Sequence, residues 1–209
     1  MPDLSSSSWC SKRGAFTGDH ADVCRILADI SSALLYLESK GIVHNDVKPG
    51  NILYGRDSPL VRRGATLIDF GLAQEVGRIA GGGTPWYVAP ELEKGRRGHP
   101  ADIWALGISM LYLIKYIMLP EKMTQYPPWC LAQYRTDLIV QNRASSWQEE
   151  IERIRSDLQT SSSQNDKEES QLGQYVSRML EKNESDRISS RELAQKTQKW
   201  ASEMAAAGK

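Results

Sequence analysis

Residues 42–54, IVHNDVKPGNILY, set the carboxylate of Asp46, the ammonium of Lys48 and the carboxamide of Asn51 at fixed offsets between two short apolar runs. A carboxylate can take a proton from a hydroxyl, an ammonium can face an anion, and an amide oxygen can face a hard cation. A lone Asp in a loop is most often a turn former, so any chemistry must be argued from its neighbours.

Those neighbours are elements able to hold a loop still. Ile42-Val43 and Ile52-Leu53-Tyr54 are β-prone, and a turn-rich loop (GRDSPLVRRG) leads to a third such run, Ala65-Thr66-Leu67-Ile68. Upstream, Val23, Ile26, Leu27, Ile30, Leu34 and Leu37 keep a helical face, with Asp19 as its cap and Gly41 as its stop. Downstream, Gly81-Gly82-Gly83 forbids regular structure, and a helix with apolar face Ile103, Leu106, Met110, Leu111 and Ile114 follows Pro100. Helical segments around Trp147–Leu158 and Leu172–Leu180 flank a polar tract, QTSSSQNDKEES. A last helix runs from about Ser190 to Met204, with Ser189 and Glu192 spaced as a capping box. The pattern predicts an α+β fold, mostly α, with a small β patch. The Ser-rich, aperiodic residues 1–18 are expected to be a flexible linker, and 19–209 the folded domain.

Composition narrows the partners. The 209 residues carry 26 Lys plus Arg against 26 Asp plus Glu, so no global field attracts nucleic acid or an anionic membrane. The pairs Arg62-Arg63 and Arg96-Arg97 are expected to be solvated loop charges. Cys10, Cys24 and Cys130 fit no metal spacing and no disulfide framework, which points to a reducing, intracellular setting, cytoplasmic or nuclear. The apolar stretch from Ile103 to Leu119 is interrupted by Ser109 and Lys115 and falls short of the ~20 residues of a membrane span.

His44-Asn45-Asp46, Lys48 and Asn51, then Asp69-Phe70-Gly71, then Ala89-Pro90-Glu91, resemble in order the catalytic loop, the metal-binding motif and the closing motif of the protein kinase family. The resemblance implies the kinase-like fold and an ATP-dependent serine/threonine kinase. Asp46 would be the catalytic base, Lys48 the cation at the transferring phosphoryl group, Asn51 and Asp69 the Mg²⁺ ligands, and Leu53 a neighbour of the adenine ring. Thr84 in GTPWYVAPE matches the Thr that braces the catalytic Asp and Lys in serine/threonine kinases. Asp102 in ADIWALG matches the helix Asp that holds the catalytic loop, and Arg187 matches the Arg that pairs with the closing Glu, here Glu91. Phe70 and His44 are expected to pack rather than react, and Trp86 and Tyr87 to pack under the loop or line a substrate pocket. The implied partner is a protein bearing a Ser or Thr hydroxyl.

Two departures from the family pattern shape further expectations. Nothing resembling GxGxxG followed by a VAIK-type strand precedes the first helix, so the chain is expected to be a C-terminal lobe with the N-terminal β lobe absent, a truncated domain whose uncovered seam takes a protein partner. The rival expectation is a pseudokinase-like lobe that serves as a scaffold. Asn45, where relatives have Arg, cannot offer a charged fork to a phosphate. From Phe70 to Glu91 the only hydroxyls are Thr84 and Tyr87, so no activation-loop phosphorylation is expected to be required.

Overall fold

The computed structural model describes residues 1–56, 64–78, 82–91, 98–134, 136–160 and 167–207; of 167–170 and 202–207 the backbone alone is described. The pairs Arg62-Arg63 and Arg96-Arg97, Gly81, and residues 161–166 of the polar tract lie outside the described residues.

Asp19 and Asp22 start the first helix, α1 (His20–Ser39), by exchanging hydrogen bonds: each side chain accepts from the other's backbone N–H, at 2.9 and 3.0 Å. Its predicted apolar face is buried along its length. Gly41, at φ 69°, then turns the chain into β1 (Ile42–Val43). Three more strands follow: β2 (Ile52–Gly55), β3 (Gly64–Leu67) and β4 (Gln74–Glu75). β2 pairs antiparallel with β3, Ile52 opposite Leu67, and β1 with β4, Ile42 opposite Glu75. The stretch holding Asp46, Lys48 and Asn51 joins β1 to β2, and the stretch holding Asp69 joins β3 to β4. The two pairings therefore bring two polar loops side by side.

The helical part is α2 (His99–Leu113), α3 (Leu138–Thr160), α4 (Lys167–Met179) and α5 (Ser190–Ala207). From Asp102 to Leu113 every residue of α2 is buried, which marks it as the central helix. α3 begins well before Trp147, because Val140 and Ala144 extend its buried stripe by two turns through a polar sequence. At α5, Ser189 Oγ accepts from Glu192 N–H (3.1 Å), but the return half of the expected box is replaced: the Glu192 carboxylate takes Arg178 and Lys196.

The leader is not a flexible linker. Leu4, Trp9, Cys10 and Phe16 are buried, Leu4 N–H donates to the carbonyls of Pro49 and Ile52 (3.0 Å each), and Tyr112 Oη donates to the Leu4 carbonyl (3.0 Å). These anchors follow no helix or strand period, so Ser-rich composition hides them. The expectation of a C-terminal lobe with its N-terminal β lobe absent is also corrected. Among the described residues all four strands lie in the N-terminal half of the chain, and α2–α5 follow them. Among the described residues no helix is long and apolar enough to cross a membrane.

Helix α2 approaches the end of α4 at Gly107, where a Cβ would meet Leu180 Cδ2 at 2.9 Å and Met179 Cβ at 3.1 Å. Gly107→Val should therefore destabilise the fold by about 1–3 kcal/mol through overpacking, read as a lowered midpoint in chemical denaturation.

Candidate active site

The loop between β1 and β2 is anchored from below. Asp102, buried in the first turn of α2, accepts the backbone N–H of His44 (Oδ2, 2.7 Å) and of Asn45 (Oδ1, 2.9 Å). Asn45 adopts φ 67°, a left-handed conformation that Asn tolerates better than most residues. Its carboxamide nitrogen donates to the carbonyls of Val43 (3.3 Å) and Leu72 (3.0 Å). Asn45 thus ties the loop to the Asp69 segment without charge.

His44 completes that tie. Its ring is fully buried, with Nδ1 accepting from Asp46 N–H (3.3 Å) and Nε2 3.1 Å from the Ile68 carbonyl. This pairing fits the neutral imidazole protonated on Nε2. Burial lowers its pKa, outweighing the Ile68 carbonyl and the negative charges of Asp46 and Asp69. Phe70 meets the ring edge-on at 5.0 Å. Ile68 N–H in turn donates to the Asn51 carbonyl (2.9 Å).

Asp46 stands at the centre. Oδ1 accepts from Thr84 Oγ1 (2.7 Å), and Oδ2 from Lys48 Nζ (2.8 Å) and Asn51 Nδ2 (2.9 Å). Lys48 Nζ also donates to Thr84 Oγ1 (2.7 Å), closing a triangle of ammonium, carboxylate and hydroxyl. Burial alone would push the Asp46 carboxyl up, but hydrogen bonds from Lys48, Thr84 and Asn51, with the Lys48 charge, hold it below its ordinary value. Asn51 Nδ2 is also bonded to the Asp46 carbonyl (2.8 Å), so its free valence is the amide oxygen. Asp69 is exposed, at φ 63°, with Oδ1 accepting from Gly71 N–H (3.2 Å).

Leu53 is half-buried in β2 and opposite Thr66, while its neighbours Ile52 and Tyr54 point into the core. Glu91 and Arg187 form a buried bidentate pair at 2.7 and 2.9 Å. Arg187 also donates to the carbonyls of Pro100 and Glu181 and lies 5.2 Å from the Trp104 ring centre, so it ties Glu91 to α2 and to the turn after α4. Trp86 and Tyr87 are both buried. Tyr87 Oη donates to Glu121 Oε2 (2.9 Å), a contact that sequence reasoning missed because the two residues are distant in the chain and Glu121 sits in an ordinary PEK turn.

A family model described as "Protein kinase domain" matches residues 3–200. The chain belongs to the protein kinase domain family. The match runs over nearly the whole chain, strands in its N-terminal half and helices behind them, and overturns the expectation of a C-terminal-lobe fragment. A partner covering an uncovered seam loses its basis with it. The kinase domain is 39% identical over 122 residues to calcium/calmodulin-dependent protein kinase type 1B of Rattus norvegicus, covering 56% of this chain and 32% of the relative. It is 36% identical over 123 residues to mitogen-activated protein kinase kinase kinase 17 of Arabidopsis thaliana, covering 57% and 29%. It is 38% identical over 125 residues to calcium-dependent protein kinase 5 of Plasmodium berghei (strain Anka), covering 56% and 19%. The aligned stretch thus spans about a third or less of each of these relatives.

Removing Arg187 would strand Glu91 as a buried, unpaired carboxylate. Arg187→Ala should cost about 3–5 kcal/mol, measured by chemical denaturation.

Proposed function

We propose that this kinase domain transfers the γ-phosphoryl group of ATP to a serine or threonine hydroxyl of a protein substrate, with Mg²⁺. The observation that supports this most directly is the Asp46 carboxylate, kept ionised and held by Lys48, Thr84 and Asn51. Oδ1 accepts from Thr84 alone among the described residues and has a second acceptor site, so a substrate hydroxyl can still donate to it. The hydroxyl oxygen attacks the γ-phosphorus and its proton passes to Asp46. The bond to the bridging oxygen breaks, and ADP leaves with that electron pair. With its pKa lowered, Asp46 aligns the hydroxyl more than it deprotonates it early. Lys48, already beside Asp46 and Thr84, supplies positive charge for the phosphoryl oxygens. Thr84 fixes both, in keeping with the serine/threonine class.

Asn51 Oδ1 and the Asp69 carboxylate are hard oxygens suited to Mg²⁺, whose charge offsets that of the triphosphate. Among the described residues no group of three or more His, Cys, Asp or Glu could hold a metal ion, which suits an ion that takes its other ligands from phosphate and water. Leu53, half-buried, offers apolar surface to the adenine ring. Asp46→Asn should lower phosphate transfer from labelled ATP to a protein substrate by about 10²–10⁴-fold. Transfer undiminished by this change would sink the assignment.

Activation-loop phosphorylation is not required. In support, Asn45 makes neutral hydrogen bonds to Val43 and Leu72, and both hydroxyls of the segment are committed, Thr84 to Asp46 and Tyr87 to Glu121. Phosphatase treatment of active protein should leave its rate unchanged. Mass spectrometry finding a phosphate between Phe70 and Glu91 whose removal abolishes activity would refute this.

A further inference from the structure

Several cations packed on this domain meet carboxylates: Lys48 meets Asp46, Arg155 meets Glu181 and Arg187 meets Glu91. Lys122 meets a thiol instead. Its Nζ donates to Cys10 Sγ (3.5 Å) and to the Ser11 carbonyl (3.2 Å), and the Cys10 S–H donates to that same carbonyl (3.5 Å). Among the described residues Lys122 makes no ion pair. An amine and a free thiol thus share one acceptor and touch each other, although 112 positions separate them in the chain.

Backbone contacts hold both partners in place. Cys10 N–H donates to the Ser6 carbonyl (2.8 Å), Cys10 forms a bridge with Phe16, and Ser11 N–H donates to the Ala15 carbonyl (2.8 Å). The tip of this loop rests on the turn that carries Lys122. Leu119 N–H donates to the Gly14 carbonyl (2.8 Å), and a Cβ at Gly14 would lie 3.4 Å from Lys122 Cβ. Two reactive groups fixed in contact behave as if highly concentrated toward each other. Cys10 is buried, 3% exposed, whereas Lys122 is exposed, so the lysine side of the pair is the side open to a small oxidant.

We propose that Cys10 and Lys122 form a peroxide-driven, thiol-reversible cross-link, a sulfenamide between Sγ and Nζ. The Cys10 thiolate attacks one oxygen of hydrogen peroxide and the O–O bond breaks; the departing hydroxide takes a proton from the Lys122 ammonium, leaving a sulfenic acid, a neutral amine and one water. The amine then attacks the sulfenyl sulfur. The S–N bond forms, the S–O bond breaks, and the hydroxide leaves as a second water with the proton that the nitrogen sheds. Sulfur loses two electrons and the peroxide gains them. Sulfenic acids condense with a thiol or with a nitrogen, and the nitrogen of Lys122 is already in contact. The link ties the leader, whose Leu4 N–H is bonded to the Pro49 and Ile52 carbonyls, to the turn whose Glu121 accepts Tyr87 Oη. It is a covalent clamp across the base of the site.

The test uses the full chain with Cys130→Ser, which removes the exposed thiol and keeps Cys10 and Cys24. After hydrogen peroxide treatment it is digested with trypsin without reductant and mapped by mass spectrometry. The expected product is lighter than the reduced protein by two hydrogens, is not cut after Lys122, joins the Cys10 and Lys122 peptides, and reverts with dithiothreitol. Linked protein should show a higher denaturation midpoint than the same sample after dithiothreitol, because a cross-link restricts the unfolded chain. Cys10→Ser should abolish the link. Lys122→Arg, an exposed change that keeps the charge but removes the nucleophilic amine, should abolish it too and leave Cys10 carrying oxygen. Unmodified Cys10, oxygen added at Cys10 with Lys122 still cut, a disulfide to Cys24, or a link that survives Lys122→Arg would each overturn the proposal, and a link that leaves the midpoint unchanged would overturn the clamp.

Discussion

The site depends on one buried carboxylate. Asp102 accepts the successive N–H groups of His44 and Asn45. It lies in the first turn of α2, where the end of the helix favours negative charge, and α2 is the most enclosed element of the domain. A loop pinned to the centre of the core cannot drift, so the orientation of Asp46 is inherited from packing far from the chemistry.

Above that anchor the order is transmitted by short hydrogen bonds. His44 links Asp46 to the carbonyl before Asp69, and Asn51 accepts from Ile68 N–H while donating to Asp46. Thr84 brings its segment to the same carboxylate, and the Glu91–Arg187 pair fastens the far end of that segment to α2 and to the turn after α4. Asp46, His44, Asn51, Glu91 and Asp102 each have hydrogen-bond partners, which is what makes a polar centre tolerable inside a hydrophobic fold.

Asn45 shows how a residue that looks like a loss becomes a structural asset. An Arg at this position would leave a charged fork in need of a counter-ion. Here a neutral carboxamide already spans two carbonyls, and its left-handed backbone is one that Asn accepts readily. The tie needs no modification to form.

Much was legible in the sequence because it is local. The apolar spacing of α1 and its Asp19 cap, the start of α2 near Pro100 and the cap at Ser189 follow from rules that act over one or two turns. The order of Asp46, Lys48, Asn51, Asp69 and Thr84 carried the family. The packed leader was not legible, since Leu4, Trp9 and Phe16 are anchored by contacts with Pro49, Tyr54 and Tyr112 that no period encodes. The extent of the kinase fold along the chain was not legible either, because the glycine-rich motif that would have marked its start is absent from the sequence. The sequence by itself determined which groups could do chemistry and which short segments would be helix or strand. Only the tertiary structure decided that Asn45 holds Leu72 and that Tyr87 meets Glu121. Those contacts join residues far apart in the chain, and the side-chain environment that gives them meaning exists only once the core has closed.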